Sequence, residues 1–216
     1  MSLRFVRDVP NLDLATHIAS SGFVQPLSNA LRSDVDAHLK EGQIVYSIFK
    51  DDVLVGFAIF NKIMLPAVFP QVCSDWTAAG YSDMLVLYLA GILLDASVQG
   101  MGIAEQVVRY AKNETGLFYL ALRTQSLRMW IAGNKMTKSW YPNPQGTYIG
   151  HFDVAKMLLA KQLRMPLTKA HSSMGFYGAP LYGTKPAHRD PKLQAWWDNI
   201  CSFERGDAVL CIGQFK

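Results

Sequence analysis

The feature that most constrains the fold is an apolar run that stops at a tight turn. Met84–Leu94 reads Met-Leu-Val-Leu-Tyr-Leu-Ala-Gly-Ile-Leu-Leu, without a charge. It is far shorter than the ~20 residues a membrane-crossing helix needs. Met84–Asp95 is therefore expected to be a strand buried on both faces. Gly91 within it marks a bulge or a close backbone approach. Directly after it comes Asp95-Ala96-Ser97-Val98-Gln99-Gly100-Met101-Gly102-Ile103-Ala104. Gly100 and Gly102 permit a turn too tight for a Cβ. Gly102–Glu114 then carries Ile103, Val107, Val108 and Ala111 at helical spacing, with Gly116 as the stop. The first N–H groups of such a helix have no partner within it, and with the helix dipole they form an anion site. A diphosphate suits so many convergent amides.

Two familiar phosphate motifs are excluded. No Gly-Lys-Ser/Thr follows the glycines, so the turn is not a P-loop. A dinucleotide fingerprint would place a small residue at Glu105 and an acid near Arg123. The surrounding elements define a mixed domain. Leu27–Lys40 has helical spacing and is followed by Gly42. Gln43–Lys50 and Val53–Ile63 are strands joined by Asp51-Asp52 in an antiparallel hairpin. Pro66, Pro70 and Gly80 mark a loop. Leu117–Leu122 is a buried strand, Leu127–Met136 a short helix, Trp140–Gly150 a Pro-, Gly- and Tyr-rich stretch, and Phe152–Leu163 a helix. His171–Pro191 is loop-like and Asp207–Phe215 a closing strand. This order gives an α/β or α+β three-layer domain. No repeat is present. The whole of 1–216 is expected to be one domain, with 137–206 as an elaborated segment on the acceptor side.

Composition narrows the class. Half of the 216 residues are hydrophobic and 18% are charged, which supports a sizeable core and argues against disorder. The net charge of +4 comes from scattered Lys and Arg, without the basic stripe of a nucleic-acid binder. Cys73, Cys201 and Cys211 give neither a disulfide framework nor metal spacing. Met1–Pro10 lacks the apolar run of a signal peptide. The expectation is a soluble, cytoplasmic protein with no metal, nucleic acid or membrane partner.

Gln99-Gly100-Met101-Gly102-Ile103-Ala104 resembles the coenzyme A signature Gln/Arg-x-x-Gly-x-Gly/Ala of the GNAT superfamily of acetyltransferases. The resemblance extends over roughly Gln43–Trp130, with Asp207–Phe215 as the matching last strand. It implies a mostly antiparallel central sheet flanked by helices, and acetyl-CoA as co-substrate. By this resemblance the amides of Gln99, Gly100, Met101, Gly102, Ile103 and Ala104 would cradle the pyrophosphate. The main chain of Leu94 and Ala96 would bond the pantetheine arm where the strands splay, and an amide near Leu93 or Leu94 would polarise the thioester carbonyl. Ser126 takes the place of a family Asn, Met129 that of an Ala, and Gly133 that of the usual acidic Tyr. The resemblance implies an N-acetyltransferase acting on a small-molecule or peptide-like amine. Homodimers are common in the family.

The acid and base are open at this level. Asp95, at the strand end, is a candidate base, with a turn cap as its competing role. Tyr141 and Tyr148 are candidate acids in place of the missing Tyr. His151 and His171 are candidate bases by their ordinary pKa, against purely structural roles. Phe176, Tyr177, Tyr182, Trp196 and Trp197 either line an acceptor pocket or pack on the sheet. Arg123 and Arg128 either hold an anion or pair locally. Two alternatives stand beside the N-acetyltransferase: a non-catalytic acyl-CoA sensor or scaffold, and an acyltransferase for longer chains.

Overall fold

A computed structural model describes residues 2–66, 83–146, 150–168 and 171–216. They form a mixed α/β fold with an eight-stranded, mostly antiparallel sheet and six α-helices. Contacts divide the chain into two compact units. Unit 1 is Met1–Asn61, Tyr88–Gly116 and Leu181–Lys185; unit 2 is Lys62–Leu87, Leu117–Pro180 and Pro186–Lys216.

In unit 1, β1 (Leu3–Val6) pairs antiparallel with β2 (Ile44–Lys50), which pairs with β3 (Val53–Pro66), a strand that belongs to unit 1 as far as Asn61. Asp51 and Asp52 both take left-handed φ, 48° and 63°, and close the hairpin opposite the Lys50–Val53 pair. Asp tolerates this conformation, and the right-handed twist of the strands requires it. The helices α1 (Leu12–Phe23) and α2 (Asn29–Glu41) bury Ala15, Ile18, Ala19, Leu31, Val35 and Leu39 against Val45, Phe57 and Ile59. Next along the chain are β4 (Asp83–Leu94) and α3 (Ile103–Thr115), which buries Ile103, Val107, Val108 and Ala111. Tyr110 of α3 packs edge-on to Tyr46 at 5.5 Å, and Tyr46 donates to Glu114 at 2.7 Å. Successive residues of β2 thus meet different neighbours, Val45 the α1–α2 cluster and Tyr46 α3. The strand is buried along both faces from Ile44 to Ile48.

Unit 2 holds β5 (Tyr119–Thr124), α4 (Leu127–Met136), β6 (Thr137–Tyr141), α5 (Gly150–Gln162), β7 (Ser172–Ser173), α6 (Pro191–Ile200) and β8 (Ala208–Phe215). The central strand is β8, which pairs antiparallel with β5, β6 and β7. Trp130 ties α4 to the segment after β6, donating from Nε1 to the Pro142 carbonyl at 2.8 Å. Trp197 of α6 donates to the Gln125 carbonyl at 3.3 Å.

Several expectations shift. The strand expected at Leu117–Leu122 runs over Tyr119–Thr124. Trp140 and Tyr141, grouped by sequence with a loop, end β6 and are buried. The elements β1, α1 and α6 were not anticipated. Pro70, Gly80, Cys73 and Tyr148 lie outside the described residues. No helix among the described residues is long and apolar enough to cross a membrane.

Candidate functional site

From Tyr88 to Gly116, the strand end, the turn and the helix lie in unit 1. After β4 the chain makes one 3-10 turn at Ala96–Val98, seated by buried Val98. Gly100 and Gly102 then take φ of 81° and 74°, and α3 begins at Ile103. Gly102 is the N-cap of α3, and no side chain caps the helix. A Cβ built on either glycine would meet nothing within 4 Å, so no side chain packs against the turn at these two positions. The α3 dipole and its leading amides, without a side-chain cap, have the chemistry an anion needs. An uncapped helix start preceded by two left-handed glycines is compatible with an anionic group such as a diphosphate.

The sequence-derived cofactor residues Leu93, Leu94, Ala96, Gln99, Gly100, Met101, Gly102, Ile103 and Ala104 are contiguous along this corner. Ile103 is buried as the first core residue of α3, while Met101 is 41% exposed. The Gln99 side chain has a job the motif does not announce. Its amide donates to the carbonyls of Gly22 at 3.0 Å and Leu94 at 3.1 Å, fastening α1 to the strand end. Only glycine fits at position 22, because a Cβ there would lie 2.6 Å from the Leu94 oxygen. The Ala96 amide donates to Ser21 Oγ at 3.1 Å, and the Asp95 amide to the Val55 carbonyl at 2.8 Å. The Leu94 and Ala96 main-chain groups assigned to a pantetheine arm thus have partners within the protein. Asp95 Oδ1 accepts from Ser97 Oγ at 2.5 Å and from the Ser97 amide at 2.9 Å. These two bonds, with a third from Ser21, hold its carboxyl below the usual range. The carboxylate caps the turn, and its lowered basicity disfavours proton abstraction.

The remaining candidates stand in unit 2. Ser126 is the buried N-cap of α4, with its amide donating to Thr124 Oγ1 at 2.8 Å. Gly133 has a packing reason: a Cβ there would lie 2.2 Å from Cζ2 of Trp140. His151 stacks on Phe152 at 4.2 Å, and burial lowers its pKa. Arg123 lies 4.6 Å above the Phe176 ring. The aromatics divide. Tyr182 packs on Phe23 in unit 1 at 5.5 Å, whereas Trp196 packs on Trp130 at 5.0 Å in unit 2.

Tyr141 is in richer company. Its hydroxyl lies 3.2 Å from Asp153 Oδ1 and 3.2 Å from His171 Nε2. Lys156 Nζ contacts His171 Nδ1 and lies 3.2 Å from Asp153 Oδ1. It also sits 4.3 Å above the Tyr141 ring. Asp153 and Lys156 were missed in the sequence. Their signal was an acid and a base three residues apart on one helix, a pattern that usually marks a solvated face. Among the described residues no three His, Cys, Asp or Glu gather in a way that would hold a metal ion.

No family model matches the chain, and no curated protein does. Solved structures of acetyltransferases are similar to it. The ribosomal-protein-S18-alanine N-acetyltransferase from Escherichia coli shares 14% identity, with a TM-score of 0.47 over 100% of this chain and 95% of that one. The IAA acetyltransferase from Bacillus cereus shares 10% identity, with a TM-score of 0.44 over 99% of this chain and 100% of that one. A Desulfovibrio desulfuricans protein assigned to the GNAT family shares 14% identity, with a TM-score of 0.42 over 99% of each chain.

Proposed function

We propose that this chain is an acetyl-CoA-dependent N-acetyltransferase acting on an amine of a small-molecule or peptide-like acceptor. The observation that carries the reading is the uncapped start of α3, with left-handed Gly100 and Gly102 before it. The amides from Gln99 to Ala104 hold the pyrophosphate. The acceptor nitrogen attacks the thioester carbonyl, the C–N bond forms, the C–S bond breaks, a base takes the amine's proton and the thiolate leaves to be protonated.

Acetyl-CoA at a hundred times its Kd adds about 2.7 kcal/mol of stability, a rise in Tm of roughly 5–10 °C for a chain of this size. The Gly102→Glu variant places a carboxylate in the anion site and is expected to show no rise, while circular dichroism reports its fold. Absence of any rise in the wild-type protein at millimolar acetyl-CoA overturns the reading.

One observation favours a binding-only protein instead: Trp140 occupies the space beside Gly133 where the resemblance places an acid. A thermal shift without release of free thiol across a panel of amines would select that reading. A shift growing with acyl-chain length would select a longer acyl donor.

A further inference from the structure

Unit 2 contains a ring of four polar side chains drawn from three segments. Tyr141 ends β6, Asp153 and Lys156 lie on α5, and His171 precedes β7. Lys156 is 1% exposed, whereas the side chain of His171 is 28% exposed. Among the described residues, the charged and titratable groups facing the imidazole are Asp153 and Lys156 of α5 and Tyr141 of β6. Cys211 of β8 lies beside Lys156, and burial keeps its thiol protonated. His171 holds a left-handed φ of 71°, a conformation for which a histidine needs support. Its amide donates to the Thr168 carbonyl at 3.0 Å, and its carbonyl accepts from the Leu210 amide at 3.4 Å. The strand that follows is two residues long and pairs Ser172 with Val209 and Ser173 with Ala208 of β8. The imidazole links this short stretch to α5 and β6.

The contact between Lys156 Nζ and His171 Nδ1 needs a lone pair on one of the two nitrogens. With Lys156 charged and the imidazole neutral, Nδ1 accepts. With Lys156 neutral, Nζ accepts from Nδ1–H. When both are protonated no lone pair is left, and two cations face each other. Asp153 Oδ1, 3.2 Å from Nζ and 3.8 Å from Nδ1, balances one of those charges and not both. The Tyr141 hydroxyl, 3.2 Å from Nε2, can accept from an imidazolium but brings no charge to offset it. Burial and the Lys156 charge accordingly lower the His171 pKa. Burial lowers Lys156 only to about 8, so it is a cation throughout the acid range. Lys156 is enclosed, whereas the imidazole reaches water. The imidazole is therefore the partner that leaves.

We propose that His171 is an acid-released latch within unit 2: a proton on its imidazole breaks the contact with Lys156, frees the side chain into water and loosens β7 from β8. Every group in the device belongs to unit 2, so it stands apart from the acetyltransferase reading. The folded imidazole takes up a proton less readily than the unfolded one. The latch is therefore fully shut above the ordinary 6.5 and opens as pH falls through the lowered folded value. A two-residue ladder and a left-handed histidine resist fraying poorly once the imidazole is free.

The test follows 15N-labelled full-length protein by NMR between about pH 7.5 and 5, reading the His171 ring nitrogens and amide exchange together. The Leu210 amide, bonded to the His171 carbonyl, reports the latch, and the β5 amides are the controls. Corrected for intrinsic exchange, Leu210 protection is expected to fall up to about tenfold per pH unit as His171 titrates, the limit for one linked proton, with β5 unchanged. His171→Asn keeps an acceptor opposite Lys156, tolerates left-handed φ and does not titrate, so its Leu210 protection is expected to stay level. Lys156→Met removes the opposing cation. In it Asp153 pairs with the imidazolium, His171 titrates at higher pH, and Leu210 protection again stays level. Should the Asn variant fail to fold, Lys156→Met decides. Wild-type Leu210 protection that stays level down to about pH 5, whether or not His171 titrates, overturns the proposal. So does a fall shared equally by β5, which marks unfolding of the whole unit, or a fall of the same size in either folded variant.

Discussion

At the scale of single residues, Gln99 shows what a motif hides. The sequence marks it as the first position of a coenzyme A signature and directs its main chain to a diphosphate. Its side chain serves the fold, bridging two carbonyls from segments 77 and 5 positions away. Gln99→Leu leaves both carbonyls without that donor and is expected to cost about 1–3 kcal/mol. Urea unfolding would show a lower midpoint with an unchanged slope. The glycines were legible because left-handed φ leaves a mark in composition. The bridge was not, because Gly22 gives no sign of what approaches it. Lys156 was hidden for a related reason: a lysine three residues after an aspartate looks solvated until the burial around it is known.

At the scale of elements, legibility followed hydrophobic contrast. The helix α4 matches its expected bounds because Leu127, Trp130 and Met136 recur at a spacing only a helix would bury together. The helix α1 escaped because, apart from Ile18, it buries small residues, Ala15, Thr16, Ala19 and Gly22, which contribute little apolar contrast. The helix α6 buries Trp197 alone, although Asp190 and Pro191 form an N-cap and first-turn pair that announced its start. Gly133 binds α4 to β6. Gly133→Ala forces a methyl into the Trp140 indole and is expected to destabilise by about 1–3 kcal/mol. The loss should shrink in a Trp140→Leu background, and a double-mutant cycle in urea measures that coupling. An equal loss in both backgrounds would show that the indole is not the obstacle.

At the scale of the whole molecule, the buried ring leaves a trace in stability. The folded Lys156 pKa of about 8 lies below its ordinary 10.5. Between those values the unfolded chain binds more protons than the fold, so this group makes stability rise with pH and its penalty is fully present below about 8. The rise is clearest between about pH 8 and 9, before Cys211, raised by burial, acts in the opposite sense. Wild-type protein is expected to gain up to about 1.4 kcal/mol per pH unit there relative to Lys156→Met. Denaturation midpoints at stepped pH test this, and parallel curves for the two proteins refute it. The sequence conveyed the alternation of helix and strand and the strand–turn–helix corner at Leu94–Ile103. It did not convey that Leu181–Lys185, within the late stretch 137–206, makes its contacts in unit 1.

That docking has a consequence for synthesis. Gly183 donates to the Phe23 carbonyl at 2.9 Å, and Gln25 Nε2 to the Leu181 carbonyl at 2.9 Å. A nascent chain therefore leaves the C-terminus of the Leu12–Phe23 helix uncovered until Leu181–Lys185 has been made and has emerged. Such long-range closure slows folding and leaves early intermediates open to chaperones. Chains ending at Pro180 and at Lys185, released from the ribosome, should differ in how readily a protease cuts near Val24.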